Sequence, residues 1–144
     1  PLAGSLRRAI LDDAAVSGAD NSFAQSRGQF DAGGDVLLHG HCHQKAHQTM
    51  AAMTNTLDLL PDSNIETVQS SCCGMAGAFG YGADTYEVSQ AMGEASLLPA
   101  VRGVASTTTL IANGTSCRQQ IKHGSGREAV HMVQLLRRAL NLPR

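Results

Sequence analysis

The chain has 144 residues, 42% of them apolar and 16% charged, a composition typical of one globular domain with its own hydrophobic core. Its formal net charge of −1 offers no basic field to attract nucleic acid, and 3% aromatic residues without tryptophan argue against a base-stacking surface. No apolar run approaches the roughly 20 residues of a membrane span, and no segment has the pattern of a signal peptide.

The first predicted element is a short helix within residues 2–15, where leucine and isoleucine recur every four residues. Residues 17–34 are small and polar, which is typical of a linker. We therefore divide the chain into an N-terminal helix and flexible linker, residues 1–35, and a domain, residues 36–144. The chain begins at Pro1 and not at a methionine, which favours a domain cut from a longer polypeptide.

Four short apolar or β-branched runs in the domain are typical of buried strands. Between them, apolar residues recur at steps of three and four, which predicts amphipathic helices. This order predicts an α/β fold in which βαβ units build a small, mainly parallel sheet of about four strands flanked by helices. The predicted strands cover residues 36–38, 65–68, 107–112 and 129–131.

The first helix of the domain is predicted over residues 44–60, where one apolar stripe runs the whole length. The next helix is expected to follow Asp84, because Glu87 three residues later completes the pattern of a capping box. Val88 and Met92 lie on the apolar stripe of that second helix.

A third helix is predicted around the last cysteine. Ser116 and Gln119 form another capping-box pattern, which makes Cys117 the first residue of the helix. The closing helix of the chain is expected to pack through Val133 and Leu136.

The four cysteines all lie in polar segments that follow predicted strands. Parallel strands end at the same edge of a sheet, where ligands bind, so we expect the thiols to converge on one site. Thiols grouped in this way most often hold a metal ion or an iron–sulfur cluster. The expected ligands are Cys42, Cys72, Cys73 and Cys117.

Other residues near the cysteines are candidates for the same site. Glycines in the loop after the paired cysteines allow close backbone approach and offer N–H groups to cluster sulfur, and an arginine next to the last cysteine can balance an anionic cluster. Two histidines are possible extra ligands, or else they line the mouth of the site or donate hydrogen bonds to sulfur. These candidates are Gly74, Gly77, Gly80 and Arg118 for the cofactor, and His41 and His43 for the metal.

Several other interpretations stay open at this point. The cysteines can be ligands of a structural zinc ion without a redox role, small buried hydrophobes, a pair of disulfides, or nucleophiles of a stand-alone cysteine-based enzyme. The glycine-rich loop resembles a phosphate cradle, but it lacks the Gly-Lys-Ser/Thr ending of nucleotide-binding loops.

The cysteines lie in three motifs: His-Gly-His-Cys-His-Gln-Lys-Ala at 39–46, Ser-Cys-Cys-Gly-Met-Ala-Gly-Ala-Phe-Gly-Tyr at 71–81, and Asn-Gly-Thr-Ser-Cys-Arg-Gln-Gln-Ile at 113–121. Together they resemble the cysteine-rich CCG domain of heterodisulfide reductase, of iron–sulfur subunits of glycolate oxidase and anaerobic glycerol-3-phosphate dehydrogenase, and of FAD-linked D-lactate-type dehydrogenases. Where the fullest family pattern has Cys-x-x-Cys, this chain has Gly114 and then only Cys117.

The resemblance implies an electron-transfer domain of an FAD-linked oxidoreductase, not catalytically complete alone. A flavin on another domain would oxidise a 2-hydroxy acid such as D-lactate or glycolate, and clusters would pass the electrons to an unknown acceptor. The implied cofactor is an iron–sulfur cluster of the 4Fe–4S type, with zinc as the alternative metal. The implied partners are flavin and ferredoxin-like domains, in the cytoplasm or, through those partners, at the inner face of the membrane.

Overall fold

A computed structural model describes residues 34–60, 62–70 and 72–139. All strands of the sheet are parallel, so the predicted α/β class is confirmed. The strands are β1 (Gly34–His39), β2 (Ser63–Thr67), β3 (Thr109–Ala112) and β4 (Ala129–Val130). The helices are α1 (Cys42–Ala46), α2 (Met50–Leu57), α3 (Tyr86–Glu94), α4 (Leu97–Gly103), α5 (Thr115–Ser125) and α6 (Met132–Ala139), with a 3₁₀ turn at Phe79–Tyr81.

The predicted N-terminal helix lies outside the described residues, as does all of the predicted linker except Gly34, where β1 begins. The predicted domain boundary at residues 35 and 36 therefore stays a prediction. None of the described helices combines the length and the apolar character needed to cross a bilayer.

The two faces of the sheet carry two separate layers of core. Side chains alternate along a strand, so Val36 and Leu38 point to one face while Leu37 and His39 point to the other. Helices α2 and α6 cover the first face, and α4 and α5 cover the second. Apolar residues are therefore buried on both sides of the central strand, which is why β1 reads as a continuous apolar run.

The strand order β2-β1-β3-β4 creates a switch point in the sheet. The chain passes from β1 to β2, which pairs with one edge of β1. It then crosses back to β3, which pairs with the other edge of β1. At the carboxyl edge His39 lies beside Ala112 in the register of these two strands. Ligands of open parallel sheets bind in the crevice at such a point.

The helix predicted over residues 44–60 is wrong in one respect, because the structure divides it. Helix α1 ends at Ala46, and Gln48 adopts a left-handed conformation with φ of 56° before α2 begins. A left-handed residue cannot continue the i to i−4 hydrogen-bond ladder. The predicted apolar stripe is confirmed at Met53 and Leu57, which are both buried.

The capping box predicted at Asp84 does not form. Helix α3 begins at Tyr86, and the hydroxyl of Thr85 donates to the carbonyls of Phe79 and Gly82 instead of capping the helix. The apolar stripe predicted to run from Val88 through Met92 to Leu98 is wrong at its first two residues and confirmed at Leu98, which is buried in α4. The buried residues of α3 are small, namely Ser89 and Gly93. The larger side chains of Val88 and Met92 are 53% and 38% exposed.

The small buried face of α3 has a steric cause. A methyl group placed on Gly93 would lie 3.4 Å from the carbonyl oxygen of Cys73 and 3.0 Å from the amide nitrogen of Gln120. Helix α3 therefore packs directly on the segment that carries the paired cysteines, and only small residues fit between them.

The last two helices also differ from the prediction. Gly114 occupies the N-cap position of α5 without a side-chain cap, so Cys117 is the third helical residue and not the first. In α6, Leu135 and Ala139 are buried and Leu136 packs against the same core as predicted, whereas Val133 is 57% exposed. The side of a helix that faces the sheet is the side that becomes buried, even where another side carries the longer apolar pattern.

Candidate metal centre

A buried group of sulfur and nitrogen atoms lies at the carboxyl edge of the sheet. A ring nitrogen of His39 and the sulfurs of Cys73 and Cys117 all lie within 4.8 Å of one another, and all three residues are buried. Thiolate and imidazole are the ligands preferred by zinc and, for thiolate, by iron–sulfur clusters. The group thus has the donor chemistry of a metal centre.

Three separate elements bring these donors together. His39 is the last residue of β1, and its side chain lies on the same face as Leu37. Cys73 follows β2, and Cys117 lies in the first turn of α5. The site therefore depends on the parallel alignment of β1, β2 and β3.

The other two cysteines form an outer pair beside this group. Cys42 is the exposed first residue of α1, and Cys72 is half-buried. The Gly74 N–H donates to the Cys72 sulfur at 3.3 Å, and Cys42 adds to the effect of burial in raising the pKa of Cys72. The four thiols are thus arranged as a buried pair and an outer pair.

The charges of all four thiols act on one lysine. Burial lowers the pKa of Lys45, and the electrostatic influence of the nearby cysteines opposes this shift. An ammonium group at this position provides a positive charge close to an otherwise anionic set of ligands.

The ionisation of the two buried thiols is coupled. The interaction with Cys117 does most to lower the pKa of Cys73, burial opposes it, and His39 and the Met75 N–H add to the lowering, so that the pKa of Cys73 falls to about 4. The same interaction raises the pKa of Cys117, while burial raises that of Cys72. Thiolate is the form that binds metal, so a metal bound here would displace the protons that the thiols still hold.

The imidazole of His39 is satisfied on one side only. Its Nδ1 lies 3.1 Å from the Ser70 hydroxyl oxygen. Its Nε2 is buried and, among the described residues, has no hydrogen-bond partner of ordinary geometry. A buried polar atom without a partner costs about 1–3 kcal/mol, so this nitrogen fits a site that offers it a metal or a cluster sulfur.

The glycine-rich loop supplies backbone N–H groups to the paired cysteines, those of Gly74 to Cys72 and of Met75 to Cys73. Gly80 is buried, and a methyl group there would lie 2.2 Å from the Met75 sulfur. Gly77 is exposed, with open space around it. The predicted role of Gly74, Gly77 and Gly80 in cofactor binding stays a prediction.

Arg118 binds backbone at the end of β3. Its guanidinium donates to the carbonyls of Ala112 and Asn113 at 2.9 and 2.8 Å and to the Thr115 hydroxyl at 3.1 Å. These bonds fix the turn that leads into α5. The predicted contact of Arg118 with a cofactor stays a prediction.

The two histidines predicted as extra ligands lie at the start of α1. The Nδ1 of His41 accepts from the His43 N–H at 3.2 Å and caps the helix, with Gln44 completing a capping box. The exposed ring of His43 lies against that of His47, with ring centroids 4.4 Å apart. Sequence reasoning left His39 out of the ligand set, although its position at the end of a buried strand could have indicated it.

Two kinds of dehydrogenase protein from Escherichia coli are similar to parts of the chain. A subunit of the anaerobic glycerol-3-phosphate dehydrogenase of strain K12 is 29% identical over 110 residues, which cover 73% of this chain and 26% of the relative. The same subunit from strain O157:H7 gives the same values. The D-2-hydroxyglutarate dehydrogenase of strain K12 is 38% identical over 74 residues, which cover 51% of this chain and 7% of the relative.

The chain thus spans about a quarter of the first relative and a small part of the second. No family model matches the chain, and no solved structure matches it. The similarities support a domain associated with oxidoreductases, and the sulfur and nitrogen donors at the switch point provide it with a candidate metal site.

Proposed function

We propose that this domain holds an iron–sulfur cluster, of the 4Fe–4S type, on Cys42, Cys72, Cys73 and Cys117 and transfers electrons in an FAD-linked oxidoreductase. One observation carries the proposal. Thiols from three distant chain segments interact with one another at the switch point of a parallel sheet. A purely structural core would have no reason to group every cysteine of the chain there.

The protein groups around the thiols suit this role. Such a cluster, when bound, supplies one-electron transfer, with a potential set by hydrogen bonds to sulfur and by burial. The Gly74 and Met75 N–H groups donate to cysteine sulfur, and α3 packs over the paired cysteines and excludes water from Cys73.

The names of the relatives support an oxidation of a hydroxyl compound. One is a subunit of a glycerol-3-phosphate dehydrogenase, and the other is a dehydrogenase of a 2-hydroxy acid, D-2-hydroxyglutarate. We infer a 2-hydroxy acid substrate such as D-lactate or glycolate, oxidised at a flavin on another domain. This chain would contribute the relay toward the acceptor, next to flavin and ferredoxin-like domains, and would have no dehydrogenase activity alone.

Anaerobic purification tests the proposal, with a visible spectrum and iron, sulfide and zinc analysis of the same sample. We expect a brown protein with iron and acid-labile sulfide that bleaches on reduction. Cys73→Ser and Cys117→Ser should each lose most of the iron. Ser106→Ala, an exposed change in the turn before β3, should retain it. A protein free of iron and sulfide even after anaerobic reconstitution would refute the proposal.

A single zinc ion is the second candidate, because three donors lie close enough to share one ion. Around tetrahedral zinc, sulfur and nitrogen ligands lie roughly 3.5–3.8 Å apart, and His39, Cys73 and Cys117 already lie within 4.8 Å. This alternative predicts a colourless protein with one zinc ion, which is lost in His39→Gln as well as in the cysteine variants.

A further inference from the structure

A chain of hydrogen bonds leads from the surface helix α1 to the buried histidine. The Lys45 ammonium donates to the carbonyl oxygen of Ser70 and, at 3.0 Å, to its hydroxyl oxygen. That hydroxyl oxygen lies 3.1 Å from Nδ1 of His39. These hydrogen bonds join α1, which contains Cys42, with the end of β1 and with the segment after β2 that leads to Cys72 and Cys73.

The direction of these bonds follows from the chemistry of the donors. An ammonium group has only donors, so the Ser70 oxygen must accept from Lys45. A cationic donor at this oxygen makes the hydroxyl a weaker acceptor and a stronger donor, because neighbouring hydrogen bonds polarise one another. A hydroxyl polarised in this way favours donation to Nδ1 of His39, which in a neutral imidazole would place the ring proton on Nε2.

The other end of the imidazole faces sulfur. Nδ1 is taken by Ser70, so Nε2 is the nitrogen left for the two buried thiols, which lie within 4.8 Å. An N–H group there would point toward sulfur acceptors, whereas a bare nitrogen beside a thiolate would place two lone pairs against each other. The influence of His39 on the pKa of Cys73, second to that of the Cys117 hydrogen bond among the interactions that lower it, agrees with a donor at this position.

We propose that Lys45 and Ser70 hold His39 in the Nε2–H tautomer, so that His39 donates a hydrogen bond to the Cys73 sulfur and does not ligate metal. The role of that sulfur as a cluster ligand rests on the proposed function. Lys45 and Ser70 are then positioning residues, and His39 tunes the site. Hydrogen bonds to cluster sulfur raise the reduction potential. The hydrogen bonds from Lys45 through Ser70 to His39 therefore give the cluster a higher potential than the cysteines alone would give.

The tautomer can be measured without any metal. Long-range ¹H–¹⁵N correlation spectra of the metal-free, reduced protein distinguish a protonated from a bare ring nitrogen. We expect Nε2–H and bare Nδ1 in the unsubstituted chain, and a shift toward Nδ1–H in Lys45→Met and Ser70→Ala. Ser70→Thr retains the hydroxyl and should restore the original tautomer. Lys122→Met, which changes an exposed lysine paired with Glu128 on the surface, is the matched control.

A bare Nε2 in the unsubstituted chain would overturn the proposal, and so would an unchanged tautomer in both variants. The metal-loaded protein gives a second readout. His39→Gln retains an N–H donor, so it should retain the full metal content, and Lys45→Met should lower the reduction potential. Loss of metal in folded His39→Gln would make His39 a ligand and refute its role as a donor. A chain that binds no cluster would refute the proposed function, while the spectra would still decide the tautomer.

Discussion

Gly74 is the residue on which the geometry of the adjacent cysteines depends. Its φ of +88° lies in the region that side chains rarely adopt. A methyl group there would also lie 2.2 Å from the carbonyl oxygen of Ser89, in the helix that covers the site. The same turn directs the Gly74 N–H onto the Cys72 sulfur. Glycine is therefore required at position 74, both for the backbone conformation and for the close packing against α3.

The first prediction concerns this glycine. Gly74→Ala should lower the free energy of unfolding by about 2–5 kcal/mol, because backbone strain and a clash with the backbone of α3 add together. Urea unfolding of the metal-free protein measures this. Gly77→Ala is the control, since Gly77 has φ of +67° but open space, and should lose only about 1 kcal/mol. Equal losses in the two variants would contradict a steric role for Gly74.

At the scale of elements, the interruption between α1 and α2 sets the position of the outer thiol. Helix α1 contains five residues, and its first residue, Cys42, is held by the capping box of His41 and Gln44. The Thr49 N–H and hydroxyl both bind the carbonyl of Gln44 and close the turn. A continuous helix would need an unbroken hydrogen-bond ladder through this turn, and the left-handed Gln48 prevents it.

Glycine substitution distinguishes the broken helix from the continuous one. Gln48→Gly should leave the free energy of unfolding unchanged or raise it by up to about 1 kcal/mol, because glycine adopts the left-handed conformation without a steric penalty. In a continuous helix the same change would cost about 1 kcal/mol. Thermal unfolding gives the sign. Ala52→Gly, at a position inside α2, is the control and should destabilise by about 1 kcal/mol.

At the scale of the whole molecule, most of the apolar core lies away from the candidate metal centre. Both faces of the sheet are covered by apolar layers, and one of them contains none of the cysteines. The cysteines belong to the other layer only at its carboxyl edge, where Cys73 and Cys117 pack with Met75 and Ala112. The sheet should therefore persist without metal, while the loops at this edge lose their common anchor.

Removal of the proposed metal tests whether the sheet folds independently of the site at its carboxyl edge. We expect the metal-free chain to retain its far-ultraviolet circular dichroism and to unfold cooperatively at a lower Tm. A ligand present at about a thousand times its Kd stabilises the folded state by about 4 kcal/mol, which sets the scale of the loss. Hydrogen exchange should speed up in residues 72–82 and stay slow in β1 and β3. Cys73→Ser should show the lower Tm with and without metal. A metal-free chain without cooperative unfolding would contradict this prediction.

The α/β class of the fold could be predicted from the sequence alone, and the same pattern predicts a cysteine site at one edge of the sheet. Apolar runs of strand length between helical patterns are a local property, and they were sufficient for the α/β fold and for β1, β2, β3 and β4. Polar segments after those runs identified all four cysteines as candidates, because ligands of parallel sheets lie beyond the carboxyl ends of the strands.

The tertiary structure alone decided which groups meet. His39 belongs to the buried donors because β1 lies between β2 and β3, a strand order that no local pattern contains. The buried face of α3 and the break at Gln48 likewise depend on what lies opposite in space. Local propensity is weak compared with packing and with the burial of polar groups, so contacts between distant segments set the final geometry.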